Sequence, residues 1–425
     1  MTALHPTTSA DTHIKSPSSS AETLIKSGRE HYVPNYNPRD MVLDYGKGAR
    51  VWDTDGNEFV DLGSGIAVCS LGHQDPDLVE ALTSQAKKLW HTSNIFFTEP
   101  PIKLAEALTN AADFAERVYF CNSGAEANEA AIKLARKYAA SHGRDPEHRE
   151  IITFTGSFHG RTLATVTATS QPKYQEGFEP LPGGFTYVPF NDFEAIEAAV
   201  SDKTCAIMVE PVQGEGGILP AKEGFLRHLR QLCDKHDALL ILDEIQCGMG
   251  RTGSLFAYEQ DHIQPDIMTL AKALGCGIPI GAMLVGKKAS ETFQFGSHGS
   301  TFGGNPIMCA VANVALKKIQ SKAIVENVTK QSDALRNALQ DMNSDIHMFS
   351  EVRGRGLMMG AVLKEQWHGK AGEITELCRQ HGVLVLVAGP NVLRFLPPLN
   401  ITDEELQTGM TRLHSALKEY LANNA

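Results

Sequence analysis

No two of the 8 cysteines form a CxxC pair; they fall singly at Cys69, Cys121, Cys205, Cys233, Cys247, Cys276, Cys309 and Cys378. Such scatter argues against a zinc knuckle or a disulfide scaffold and fits small buried side chains. Long apolar runs are missing too. The strongest, ALLIL before Asp243, is far too short to span a bilayer. The N-terminus MTALHPTTSADTHIKSPSSS has no apolar core of the secretory kind, and no arginine precedes Arg29 as a transit peptide would require. Basic charge is in deficit. Lys plus Arg total 39 against 50 Asp plus Glu, a formal charge of -11, which gives no support to nucleic-acid binding. Two nucleotide signatures are absent: no GxxxxGK[ST] loop, and no GxGxxG after the first strand. These absences predict a soluble cytoplasmic protein without membrane or nucleic-acid partners.

What is present is a chain of 425 residues, 42% hydrophobic and 21% charged, long enough for more than one core. Residues 1–27 are rich in Ser, Thr and Pro and read as a disordered leader. Residues 49–62 read as a hairpin turning at Asp55-Gly56-Asn57, and residues 76–90 as a helix with Leu78, Leu82, Ala86 and Leu89 on one stripe. Strands follow at VYFC (118–121), EIITF (150–154), CAIMVE (205–210), ALLILDE (238–244) and GAMLVG (281–286). Helices are expected at 125–140 and 223–236. Nearly continuous apolar strands alternating with helices predict a mainly parallel sheet covered on both faces. After about residue 310 the pattern turns helical, with short strands in VRGRGLMMGAVL and VLVLVAG and a last helix capped by Thr402 and Glu405. The expected division is a segment 28–75 packing with the small domain, a large cofactor-binding α/β domain 76–310, and a small α+β domain 311–425.

Three places carry chemistry. Lys272, in TLAKALGCGIPIG, has apolar or small neighbours. A lone lysine is more often a surface residue, but in apolar surroundings an aldehyde cofactor would offset its cost by forming a Schiff base. Asp243 ends the strongest apolar strand, where α/β proteins bind ligands, and a carboxylate there can hold a pyridine nitrogen protonated. Glu244 beside it keeps a metal-binding alternative open. Ser123-Gly124-Ala125 follows a strand and opens a helix, a natural seat for a phosphate, although serine caps many helices with no ligand in view.

Together with GIAVCSLGH (65–73), FCNSGAEANEAAIKLAR (120–136), FHGRT (158–162), VEPVQGEGG (209–217), LILDEIQCGMGRTG (240–253), TLAKALGCGIPIGA (269–282), STFGGNP (300–306) and LRFLPPLNIT (393–402), these places give the chain a specific likeness. It resembles the class III, ornithine-aminotransferase-like, pyridoxal-phosphate aminotransferases of fold type I, and within them the bacterial acetylornithine/succinylornithine group. The likeness runs from about Arg29 to Leu421. It implies a large domain built on a seven-stranded, mainly parallel sheet, a smaller α+β domain, pyridoxal 5'-phosphate as cofactor, no metal, and a homodimer with shared active sites. It further implies that Lys272 carries the cofactor and shuttles a proton, and that Asp243 pairs with the ring nitrogen. Gln246 would bond near the ring hydroxyl and Phe158 would stack on the ring. Ser123, Gly124 and Ala125 would hold the phosphate, with Thr301 reaching the phosphate of the neighbouring subunit. Cys247 departs from the threonine more usual in the family.

The resemblance also implies a substrate logic. Arginine grips carboxylates with a bidentate fork. Arg161 would take a distal carboxylate in both half-reactions, Arg394 the α-carboxylate of glutamate, and Glu215 would mask Arg394 while the ω-amine reacts. The implied reaction converts N-acetyl-L-ornithine and 2-oxoglutarate into N-acetyl-L-glutamate 5-semialdehyde and L-glutamate by a ping-pong route in arginine biosynthesis. Alternatives are a catabolic succinylornithine transaminase, an ornithine or 4-aminobutyrate aminotransferase, a decarboxylase or aminomutase on the same cofactor, and a non-enzymatic binding module.

Overall fold

A computed structural model describes residue 14 and residues 16–424. In chain order its strands are β1 (Leu43–Lys47), β2 (Arg50–Asp53), β3 (Glu58–Asp61), β4 (Ala115–Cys121), β5 (Glu150–Phe154), β6 (Phe185–Val188), β7 (Thr204–Val209), β8 (Val212–Gln213), β9 (Leu219–Pro220), β10 (Leu239–Asp243), β11 (Ile267–Leu270), β12 (Gly281–Gly286), β13 (Phe349–Arg355), β14 (Met358–Leu363), β15 (Val383–Leu384), β16 (Leu386–Val387) and β17 (Val392–Phe395). Seven of them form the expected sheet, in the order β4-β12-β11-β10-β7-β5-β6. β12 runs antiparallel to both β11 and β4. The pairings of β5, β6, β7, β10 and β11 are parallel. β4, β5, β7, β10 and β11 therefore all point their carboxyl ends the same way. β7, β10, β11 and β12 are buried along their whole length, which is why they read as unbroken apolar runs rather than alternating ones.

The helix Gly124–Ser141 lies on this sheet through a face of small residues, Ala127, Ala130, Ala131 and Ala135, which lets its backbone come close. The 49–62 hairpin is β2 and β3, antiparallel. Its turn is tied by Asp53 Oδ1, which accepts from Asp55 N at 3.0 Å and Asn57 N at 2.8 Å. β3 then pairs in parallel with β15, giving the sheet β1-β2-β3-β15. β13, β14, β17 and β16 make a third, antiparallel sheet, beside the helices Lys322–Ile346, Ala371–Gln380 and Asp403–Asn423. The last helix carries the expected capping box between Thr402 and Glu405.

Buried where these sheets meet is Arg251. It donates to Ser70 Oγ at 2.9 Å, to the Leu357 carbonyl at 3.2 Å and to the Pro397 carbonyl. Burial drives its pKa down to about 9, opposed by Cys276.

Three expectations need correction. The leader does not stay irregular to residue 27, because a helix runs Ser19–His31. Ser18 caps it by accepting from Ala21 N, Glu22 sits in its first turn, and Arg29 and His31 sit in its last, where the helix dipole favours them. Residues 1–13 and 15 of that leader lie outside the described residues. The helix expected over 76–90 ends at Ala86, and Leu89 is exposed rather than on the stripe. VLVLVAG is not one strand but two short pieces in different sheets: β15 bonds to β3 and β16 to β17.

Candidate active site

The common carboxyl edge of β4, β5, β7, β10 and β11 opens into a cavity of about 370 Å³. Asp243, Phe158, Ser123, Gly124, Ala125, Gln246, Arg161 and Lys272 all line it. A parallel arrangement collects residues from distant parts of the chain here because each strand delivers its following loop to one edge. A roomier hollow of about 1030 Å³ lies at the opposite end of the strands. Two of its basic side chains are already paired, Arg230 with Asp266 at 2.7 Å and Lys288 with Asp237 at 2.9 Å, so size alone does not mark the chemistry.

Lys272 stands one residue beyond β11, after Ala271, with φ +43, a left-handed conformation costly for a residue with a Cβ. Its apolar surroundings lower the pKa of the ammonium from its ordinary value. Glu215 and Asp243 oppose that shift and Arg394 adds to it. The amine is thereby biased toward its neutral, nucleophilic form.

Asp243 is buried at the end of β10. Its Oδ2 accepts from Asn128 Nδ2 at 2.7 Å and lies 2.8 Å from His159 Nδ1, while Oδ1 accepts from Ile245 N at 3.1 Å. Asn128 in turn accepts from Thr269 Oγ1 at 2.7 Å, so the helix, β10 and β11 are joined behind the carboxylate. Burial works against a charged His159 ring, but the hydrogen bond and charge of Asp243 outweigh it and raise the pKa. Glu210, which follows β7, accepts from Phe158 N at 2.9 Å and Gly214 N at 3.3 Å. Burial raises its pKa against the pull of His159. Asn128, His159 and Glu210 were not singled out in the sequence. Glu210 carried the signal that marked Asp243, an acid at the end of an apolar strand.

Ser123 caps the helix Gly124–Ser141, its Oγ accepting from Glu126 N. The N–H groups of Gly124 and Ala125, in the first turn, have no intrahelical acceptor and are free for an anion. β12 presses on this seat: a Cβ on Gly281 would stand 2.4 Å from the Ser123 carbonyl oxygen. Glu244, the acid that kept a metal in view, does not serve a ligand. Its oxygens accept from Ala257 N at 2.6 Å and Tyr258 N at 2.8 Å, and burial pushes its pKa up to about 8.

Arg394, on β17, is 4% exposed in its side chain and reaches Glu215 Oε1 at 2.5 Å. It also contacts Gln246 Oε1 at 3.4 Å, which ties it to the cavity wall. Glu215 sits in the glycine-rich turn between β8 and β9. Arg161 differs. It is exposed, has no ion pair or hydrogen-bond partner among the described residues, and lies over the rings of Tyr174 and Phe158. Thr301 is exposed and does not line the cavity; its loop is held by Asn94 Nδ2, which donates to the Ser300 and Gly303 carbonyls.

A lysine whose charged form is disfavoured by burial, a buried carboxylate backed by two donors, an aromatic ring and an open helix N-terminus fit a phosphorylated pyridine aldehyde. Comparison with known proteins agrees. Residues 32–417 match the family described as aminotransferase class-III. The acetylornithine aminotransferase of Xanthomonas axonopodis pv. citri is 62% identical over 393 residues, covering 92% of this chain and 96% of that protein. The one from Neisseria meningitidis serogroup B is 52% identical over 396 residues, covering 93% and 99%. Among solved structures, the N-acetylornithine aminotransferase of Stenotrophomonas maltophilia matches with a TM-score of 0.84 at 53% identity, covering 94% of this chain and 100% of that one. The ornithine aminotransferase of Toxoplasma gondii matches at 0.90 with 33% identity, covering 95% and 96%. The chain belongs to the class III aminotransferases, pyridoxal-phosphate-dependent enzymes of fold type I.

Proposed function

We propose that this aminotransferase moves the ω-amino group of N2-acetyl-L-ornithine to 2-oxoglutarate, yielding N-acetyl-L-glutamate 5-semialdehyde and L-glutamate, as a cytoplasmic enzyme of arginine biosynthesis. The observation that carries this reading is the unequal state of two arginines: Arg394, which touches the cavity wall through Gln246, is closed on Glu215, while Arg161, in the cavity wall itself, has no ion pair or hydrogen bond among the described residues. A substrate that offers one carboxylate satisfies Arg161 and leaves the Arg394–Glu215 pair intact. A dicarboxylate satisfies both arginines by displacing Glu215. The pairing matters because a buried guanidinium stripped of its partner costs about 3–5 kcal/mol. Names borne by the 62% and 53% identical relatives point the same way.

Bound pyridoxal phosphate supplies an aldehyde that takes up the amine and a ring that accepts the electrons of the broken C–H bond. Lys272 would hold the cofactor at rest; once the incoming amine has displaced it, its free Nζ would carry the proton between the substrate carbon bearing nitrogen and the cofactor's former aldehyde carbon. Asp243, oriented by Asn128 and His159, would face the ring nitrogen and favour its protonated form. Phe158 would cover a ring face, Gln246 would bond beside the ring hydroxyl, and Ser123, Gly124 and Ala125 would take the phosphate. Anchoring the ring on several sides leaves only the reacting carbon free.

The working unit in this reading is a homodimer. Thr301 stands outside its own chain's cavity, in a region where Ile95, Phe96, Phe97 and Phe302 are all exposed. Phe97 is 95% exposed, an unusual state for a large apolar ring on an isolated monomer. A two-fold contact there would cover these rings and bring Thr301 to the partner's phosphate seat.

The test follows the cofactor spectrum in each half-reaction under single-turnover conditions. Arg161→Ala should slow both halves. Arg394→Ala should slow the glutamate half far more than the acetylornithine half, and Glu215→Ala should favour glutamate. Equal losses in both halves for Arg394→Ala would defeat the switch. A panel of acetylornithine, succinylornithine, ornithine, 4-aminobutyrate and lysine with 2-oxoglutarate ranks the amine donors.

A further inference from the structure

Arg161 poses a physical problem. An exposed arginine with no ion pair or hydrogen bond among the described residues would sample many rotamers, and a substrate carboxylate would bear the cost of freezing one. What does meet the guanidinium is Tyr174. The carbon at the centre of the guanidinium lies 3.7 Å from the centroid of the Tyr174 ring, against 5.5 Å for Phe158. The two rings meet edge to face, with centroids 6.0 Å apart at 88°.

Tyr174 is itself held firmly for a residue near the surface. It belongs to the short helix Pro172–Gln175, pinned on both sides by glutamine amides. Gln175 Nε2 donates to the Thr169 carbonyl at 2.9 Å and to the Val166 and Thr167 carbonyls at 3.2 Å each. Gln171 Nε2 donates to the Ser157 carbonyl at 2.8 Å, next to Phe158 itself. The ring is thus referenced to the segment that shapes the cavity mouth. A ring face holds a guanidinium without occupying its N–H donors, which stay free for a carboxylate.

We infer that Tyr174 is a positioning residue for carboxylate recognition: its ring face pre-orients Arg161 at the cavity mouth, and its hydroxyl plays no part. This inference rests on the assignment of Arg161 to the substrate carboxylate made above.

The test uses the holoenzyme and two amine donors, N-acetylornithine and its decarboxylated analogue N-acetyl-1,4-diaminobutane, with 2-oxoglutarate as acceptor. Tyr174→Leu should raise KM for N-acetylornithine and 2-oxoglutarate by roughly 3- to 20-fold, the scale of a cation–π contact. At saturating 2-oxoglutarate it should leave kcat, and the rate with the decarboxylated amine, within about twofold of the parent. Tyr174→Phe and Tyr174→Trp, which keep a ring face, should restore KM. In an Arg161→Ala background Tyr174→Leu should add nothing. Three results would overturn the inference: unchanged KM in Tyr174→Leu, equal losses with the decarboxylated amine, or a Phe variant as impaired as the Leu variant. Arg161→Ala separates the two layers. If it spares the preference for the carboxylate-bearing amine, the role of Arg161 falls and this one with it. If it abolishes that preference while Tyr174→Leu does not, only the positioning role falls.

Discussion

Asp243 uses one carboxylate oxygen for two side-chain partners, Asn128 at 2.7 Å and His159 at 2.8 Å. Replacing it with asparagine keeps the size and loses the charge that would stabilise a protonated pyridine nitrogen. Asp243→Asn should slow proton abstraction by at least about 10²-fold in single-turnover measurements, while retaining the cofactor phosphate seat. His73 offers a second residue-scale test. Its ring lies 2.9 Å from Asp61 Oδ2, and its pKa is raised from 6.5 to about 10, first by the hydrogen bond to Asp61 and then by Cys69. The folded value lies above the unfolded one. The stabilisation is therefore whole below about pH 6.5 and is lost as pH climbs through about 10. Asp61→Asn should lower stability by on the order of 1–2 kcal/mol at pH 6, after allowance for solvent screening. The gap from the parent, read by thermal denaturation, should close toward pH 10.

At the scale of elements, Gly281 of β12 packs against the backbone of the proposed phosphate seat. A Cβ there would stand 2.4 Å from the Ser123 carbonyl oxygen and 2.8 Å from Cys121 Sγ. Gly281→Ala should cost about 1–3 kcal/mol of stability through overpacking and weaken cofactor retention, measured by dialysis and by Tm with and without added cofactor. This also shows what could be read from the chain and what could not. β10 and the helix Gly124–Ser141 were plain in the sequence, because one is an unbroken apolar run ending in an acid and the other has a serine cap. β11 hid in four residues, Ile267–Leu270, too few to display a period, and β6 was missed for the same reason. The reversed direction of β12 has no local signature, since antiparallel and parallel buried strands carry the same residues. Asn128 was invisible as a site residue because it sits on an alanine-rich helix face that reads as packing. His159 looked like part of a motif rather than a partner of Asp243, 84 residues away.

For the whole molecule, the exposed rings at Ile95–Phe97 and Phe302 predict the assembly state. Phe97→Asp should shift sedimentation from dimer toward monomer and reduce activity and cofactor retention together, if Thr301 completes the partner's seat. A fully active monomer at assay concentration would rule the shared site out.

Long-range ties set when this architecture can form. Ala49 N bonds to Glu405 Oε1 across 356 residues, and Arg251 reaches back 181 residues to Ser70 and forward 146 to Pro397. On a ribosome elongating at about 5–20 residues per second, the first of these contacts waits roughly 20–70 s for its second half. Through that interval the β1–β3 segment has no β15 beside it, and Arg251 has no Pro397 carbonyl to bind. The nascent chain must therefore carry an open strand edge at β3 until translation is nearly complete. That edge is a liability confined to synthesis, since β15 covers it in the finished fold.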